Sequence, residues 1–167
     1  MTLDTPEELF EYELRGIYYG ERRLRDLLDE LQTSATDSDL VDGFADHRDE
    51  TAQHVERLER VFGLLDIDAH ERTVPTFDAL REEKREIDSE GNDVAVQNAL
   101  YNHLGRKAER LELTAYEGLL EIADAIDADS EVVDLLEENR DEDSDALDEL
   151  ESVSEGAEFE SFVDKLL

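Results

Sequence analysis

Four long apolar seams, each stepping alternately by three and four residues, constrain this chain more than any other feature. The first runs Leu14, Ile17, Glu21, Leu24, Leu28, Leu31, and the second Leu40, Phe44, His47, Thr51, His54, Leu58, Val61, Leu65. A third face carries Tyr101, Gly105, Ala108, Glu112, Ala115, Leu119 and Ile122, and a fourth Val132, Leu135, Asn139, Glu142, Ala146, Leu150 and Val153. This is the period of helices that bury one stripe against neighbours, and no segment of useful length has the two-residue period of a strand. The spacing predicts long helices over about 5–33, 38–66, 92–127 and 130–153.

The breaks between seams set the topology. Only two prolines occur, and Thr5-Pro6-Glu7-Glu8 reads as an N-cap, a proline at the first helical position and acids in the first turn. Residues 33–38 are too short a link for anything but an antiparallel hairpin, and Asp127-Ala128-Asp129-Ser130 links the last two helices in the same way. Between the hairpins lies a long link, Asp66 to about Asn92, with Pro75 and a short helix predicted over about 76–88. Two helical hairpins joined by a long crossover make an all-α, antiparallel four-helix bundle of the ferritin-like kind, expected here as one domain over 1–167.

Composition narrows the chemistry. With no cysteine, thiolate metal sites, iron–sulfur clusters and cysteine nucleophiles are excluded, so any metal must sit on carboxylates and imidazoles. The chain has 49 acidic and 16 basic residues, a formal net charge of −33. Charge on that scale often accompanies disorder, but the regular seams argue against it, and the acids are spread over every segment. Thirteen arginines against three lysines fit a protein adapted to high salt, where screening relieves self-repulsion. Neither nucleic acid nor an anionic membrane is an expected partner, since both need a basic footprint. The N-terminal residues carry no basic or apolar targeting region and no apolar run reaches membrane-spanning length, so a cytoplasmic location is expected. The number of apolar positions makes a homodimer the expected assembly.

Chemistry enters where carboxylates interrupt the apolar faces, at Glu21, Glu50, Glu112 and Glu142. Glu50 lies about one turn from both His47 and His54. The separations match, with 29 residues between Glu21 and Glu50 and 30 between Glu112 and Glu142, which places the four acids at comparable heights in two antiparallel hairpins. Buried side by side they cannot all stay ionised without cations, and a di-iron or di-manganese centre would resolve the conflict. For any one of them, a flanking glutamate whose stem packs inward is the alternative, as a structural or surface role is for either histidine alone.

The sequence resembles the YciE/YciF-type stress proteins of the ferritin-like superfamily over roughly residues 6–153. The resemblance rests on 13–21, on 47–59 with Val61-Phe62, on 107–116, and on Leu135-Leu136 followed by Asp141-Glu142. It implies a rubrerythrin-like dinuclear centre, with Glu21 and Glu112 as single carboxylates and Glu50 and Glu142 bridging or chelating. Glu109, one turn before Glu112, is then a further ligand or an acceptor behind it. The superfamily's Glu-x-x-His pattern is altered: Gln53 stands third after Glu50 and His54 fourth, while Asp145 and Ala146 follow Glu142, so the last helix offers no imidazole there. His54 and Asp145 complete the expected metal ligands.

Two functions compete at this level. In one, iron bound by the carboxylates reacts with peroxide or oxygen, a ferroxidase- or peroxidase-like role in iron or oxidative-stress handling, with Tyr18 and Tyr116 as candidate catalytic groups beside the ligands and Tyr19 near them. In the other, the bundle is a metal-free stress or assembly protein with a degenerate site. No phosphate loop, serine elbow or aromatic-interleaved basic patch is present.

Overall fold

In the computed structural model, which describes residues 3–154, five helices follow in order: α1 (Pro6–Ser34), α2 (Ser38–Leu64), α3 (Pro75–Ser89), α4 (Val94–Ala125) and α5 (Ser130–Ser154). Among the described residues there is no strand. The long helices α1, α2, α4 and α5 pack as a four-sided bundle in which α1 touches α2 and α4, and α5 touches α4 and α2. The short helix α3 of the crossover lies against α1 and α4. This is the expected all-α, ferritin-like arrangement, with the long connection between the second and third long helices.

Local chemistry fixes the helix ends. Thr5 Oγ1 accepts from the Glu8 amide at 3.2 Å while Glu8 Oε2 accepts from the Thr5 amide at 3.2 Å, a capping box with Pro6 at the first helical position. Asp37 caps α2 by accepting from the amides of Asp39 and Leu40, and Asp93 caps α4 by accepting from Ala95 at 2.9 Å. Helices α2 and α4 end alike. Asp66 and Asp127 take left-handed backbone, φ 55° and 51°. The next amides reach back five residues, from Ile67 to the Phe62 carbonyl and from Ala128 to that of Ala123.

The seams become the core. Leu14, Leu31, Leu58, Val61, Leu104 and Leu136 are essentially inaccessible to solvent, each stabilising the fold by roughly 1.5–3 kcal/mol. On α4 the buried line passes through Glu109, Glu112 and Tyr116, while Ala115 is only half-buried. The crossover is strapped to α1 before α3 begins. Arg15 donates to the carbonyls of Asp68 and His70, and Arg72 donates from Nε to the Tyr12 carbonyl at 2.8 Å. α3 then seats Phe77 directly on Gly20, whose missing side chain leaves the space the ring occupies.

Gly20→Ala is expected to destabilise the fold by about 1–3 kcal/mol, because a Cβ there would stand 2.4–2.8 Å from the Phe77 ring, and chemical denaturation measures it. The surface charge gives a second expectation: transfer from molar salt to dilute buffer lowers the melting temperature followed by circular dichroism, as screening of a net charge of −33 is withdrawn.

Candidate metal centre

Halfway along the bundle the apolar core gives way to six titratable side chains, one from α1, two each from α2 and α4, and one from α5. Glu21, His47, His54, Glu109, Glu112 and Asp143 are all at most 5% exposed. Their nitrogen and oxygen atoms form two overlapping sets, each tight enough to surround one cation: Glu21, His54 and Asp143, and His47, Glu109, Glu112 and Asp143. Asp143 belongs to both. His54 Nδ1 lies 3.3 Å from Glu21 Oε2 and 3.5 Å from Asp143 Oδ1, while His47 Nε2 lies 3.0 Å from Glu109 Oε2 and 4.0 Å from Asp143 Oδ1.

These atoms are crowded but not hydrogen-bonded. Glu21 Oε2, His47 Nε2, His54 Nδ1 and both carboxylate oxygens of Glu109, Glu112 and Asp143 have no hydrogen-bond partner although buried. Buried polar atoms are normally paired, and leaving one unpaired costs on the order of 1–3 kcal/mol, more when it is charged. A donor set of carboxylate oxygens and imidazole nitrogens is one that iron, manganese or zinc accepts. The residues therefore fit a pair of such ions.

The outward-facing atoms of the same groups are held by partners. His54 Nε2 is 2.9 Å from Glu142 Oε2, and Arg57 donates to both oxygens of Glu142, at 2.7 and 2.9 Å, and to Asn139 Oδ1 at 3.1 Å. His47 Nδ1 is 3.4 Å from Glu50 Oε2. The Tyr116 hydroxyl donates to Glu21 Oε1 and accepts from Asn139 Nδ2, the latter at 2.8 Å. A carboxylate on one ring nitrogen fixes the proton there and turns the other nitrogen, His54 Nδ1 or His47 Nε2, toward the centre.

Electrostatics follow from this crowding. Burial, then the charges of Glu21, Asp143 and Glu109, push the Glu112 carboxyl well above its ordinary range; burial and then Glu21 and Glu109 do the same to Asp143. Burial works against the His47 imidazolium, yet Glu109, Glu50 and Asp143 together hold its pKa well above normal. His54 is raised as well, Glu21 and Glu142 outweighing its burial and the repulsion of His47. Burial and Glu21 keep the Tyr116 phenol firmly protonated. Glu142 goes the other way: the Arg57 and His54 hydrogen bonds overcome burial and keep it ionised.

The structure thus brings together Glu21, His54, Glu109, Glu112 and Tyr116 of the residues singled out in the sequence, and sets the others elsewhere. The expected convergence of Glu21, Glu50, Glu112 and Glu142 is corrected to a set in which Asp143 and His47 stand where Glu142 and Glu50 were placed. The Glu50 side chain is 43% exposed because the inward line of α2 runs through 47, 51 and 54 and leaves position 50 on the flank. Glu142 is at the rim, claimed by Arg57, and Asp145 is exposed. Tyr18 packs edge-on to Phe62 and donates to Glu59 at 2.8 Å, away from the centre, and Tyr19 donates to Asp78. Asp143 was legible after all: read from Leu136 instead of Leu135, the α5 seam steps 132, 136, 139, 143, 146, 150.

An antiparallel bundle with a long crossover, carrying inward carboxylates and imidazoles at mid-height, defines a protein of ferritin-like architecture. The chain belongs to the DUF892 family, a domain family of unknown function whose model matches residues 5–161. Among solved structures it resembles YcfI of Rhodopseudomonas palustris, to which a structural role is provisionally ascribed, at 30% identity and a TM-score of 0.86, over 89% of this chain and 94% of that one. The E. coli stress protein YciF shares the fold at a TM-score of 0.86 and 22% identity, over 91% of this chain and 96% of that one. None of the curated proteins matches the chain. No helix among the described residues is long and apolar enough to cross a membrane.

The raised carboxyls and imidazoles predict a distinctive pH response of the metal-free protein. Glu112, Asp143 and His47 keep protons in the folded state that the unfolded chain has released, the carboxyls from about pH 4 upward and the imidazole from about pH 6.5. Folded protein then binds more protons than unfolded, so stability falls as pH rises through that window. Urea melts of chelator-treated protein at constant molar salt should give a higher midpoint at pH 5 than at pH 8, and Glu112→Gln/Asp143→Asn should flatten the difference.

Proposed function

We propose that this protein binds a pair of transition-metal ions, iron first among them, and serves in iron or peroxide handling under stress. The observation that carries this reading is the nest of buried, unpaired donor atoms on six residues, arranged in two sets that share Asp143. Glu21, His54 and Asp143 would hold one ion, and His47, Glu109, Glu112 and Asp143 the other. Iron bound there would supply redox chemistry toward dioxygen or peroxide.

The chain's own residues do the rest. Arg57 keeps Glu142 ionised, and Glu142 in turn keeps the proton of His54 on Nε2, leaving Nδ1 free for metal. Glu50 does the same for His47 from the rim. Tyr116 orients Glu21 through its hydroxyl and, being fully buried, retains its own proton. Glu21, His54 and Asp143 are fully buried, which keeps bulk water from that position. The stress role of YciF supports the setting in which this chemistry is placed. The competing reading, a metal-free stress or assembly bundle, draws on the absence of an imidazole on α5.

Metal analysis of protein loaded anaerobically with Fe(II) or with Mn(II) in molar salt tests the proposal. Wild type should retain about two ions per chain after gel filtration, and Asp143→Asn, losing the shared ligand, should retain fewer. Glu142→Gln should weaken binding by roughly 10–100-fold without changing the ligand set. Equal retention by wild type and Asp143→Asn would assign the bound ions to the acidic surface and favour the metal-free reading.

A further inference from the structure

A cleft of about 520 Å³ opens between the N-terminal half of α2 and the C-terminal half of α5. Its walls include Asp42 and Asp46 from α2 and Asp145 and Glu149 from α5, all exposed, and its inner end includes His47 and Glu109. Those two are 5% and 0% exposed, and His47 Nε2 and both Glu109 oxygens have no hydrogen-bond partner. Glu21, His54, Glu112 and Asp143 do not line the cleft. Around the Glu21–His54 position, Arg57, Glu142, Asn139 and Tyr116 are linked by the hydrogen bonds that join α2, α4 and α5, with Glu142 also lining the cleft. Among the described residues none of the four wall acids forms an ion pair, so their charge is presented undiminished to the opening.

Building on the dinuclear reading, we propose that this cleft is the loading route of the centre, a transit site for hydrated divalent cations. An ion is drawn in by Asp42, Asp46, Asp145 and Glu149 and passed to His47 and Glu109, and the Glu21–His54 position fills through this outer one. The gradient is physical. Solvated carboxylates at the mouth attract a hydrated cation but hold it loosely, whereas desolvated, unpaired donors at the inner end exchange its water for direct ligands. The acidic residues that flank the ligand line, Asp145 among them, thereby gain a role distinct from ligation.

Gly43 provides a test of occlusion by bulk and positive charge together, because it lines the cleft and a Cβ built there meets nothing within 4 Å. Stopped-flow uptake of Co(II), followed by its visible ligand-field absorption in the lowest salt that keeps the protein folded, reads both rate and end point. Asp42→Asn/Asp46→Asn/Asp145→Asn/Glu149→Gln should slow uptake by about tenfold, and Gly43→Arg at least as much, with wild-type amplitude in both. A control that removes the same charge elsewhere, Glu117→Gln/Glu121→Gln/Asp124→Asn/Asp134→Asn, should stay within about twofold of wild type. Uptake by the cleft variant at the control's rate, or by Gly43→Arg at the wild-type rate, would overturn the route while leaving the centre intact. Wild type that develops no ligand-field band would overturn the dinuclear reading itself, and the route with it.

Discussion

Everything in this bundle is arranged around the burial of four carboxyl groups, Glu21, Glu109, Glu112 and Asp143, with two imidazoles in a core that is otherwise mostly apolar and rich in leucine. Ionised carboxylates without counter-charge are among the most unfavourable things a protein interior can contain. The apolar layers on either side must supply the stability that tolerates them, which is why the seams are long and dense in leucine. Without metal, the pair of histidines and shared protons carry the compensating charge; in the proposed metal-bound state the cations would. The two states would have the same covalent chain and different proton counts, so the proposed metal binding would be linked to acidity and fold stability through one set of atoms.

A shell of fixed partners makes that centre asymmetric. On the His54 side, Arg57, Glu142 and Asn139 connect α2 to α5, and Tyr116 connects α4 to Glu21 on α1. On the His47 side, the supporting Glu50 is half-exposed and the cleft begins. One half is therefore held by a network that spans three interfaces, whereas His47 and Glu109 of the other half line the cleft, as does Glu142 at its rim. The lack of an imidazole on α5 belongs to the same asymmetry, since both histidines come from α2, seven residues and about two turns apart.

Most of the architecture could be read from the chain because it depends on local rules. Proline at Pro6 and Pro75, caps at Thr5, Asp37 and Asp93, and steps of three and four residues determine where helices start and which stripe they bury. The centre was legible by region but not by residue. Glu142 and Asp143 are adjacent, both fit an α5 seam depending on whether Leu135 or Leu136 begins it, and both leucines are buried. What separates them is Arg57, a residue from another helix that captures Glu142 across the α2–α5 interface, and no periodicity within α5 carries that information. Glu50 was displaced for the related reason that α2 already fills its inward line with His47, Thr51 and His54.

The acids outside the bundle and those inside obey different electrostatics. Exposed carboxylates repel one another through water, and at molar salt, with a screening length of about 3 Å, that repulsion nearly vanishes. The buried set is largely shielded from mobile ions, so salt changes its internal repulsion less than that of the surface. High ionic strength would thus relieve the surface, with its net charge of −33, more than the buried centre. The cleft joins the two regimes: its mouth belongs to the screened exterior and its inner end to the unscreened core. Raising salt should accordingly weaken attraction at the mouth more than binding at the centre, so that rate and affinity of metal uptake respond to salt unequally.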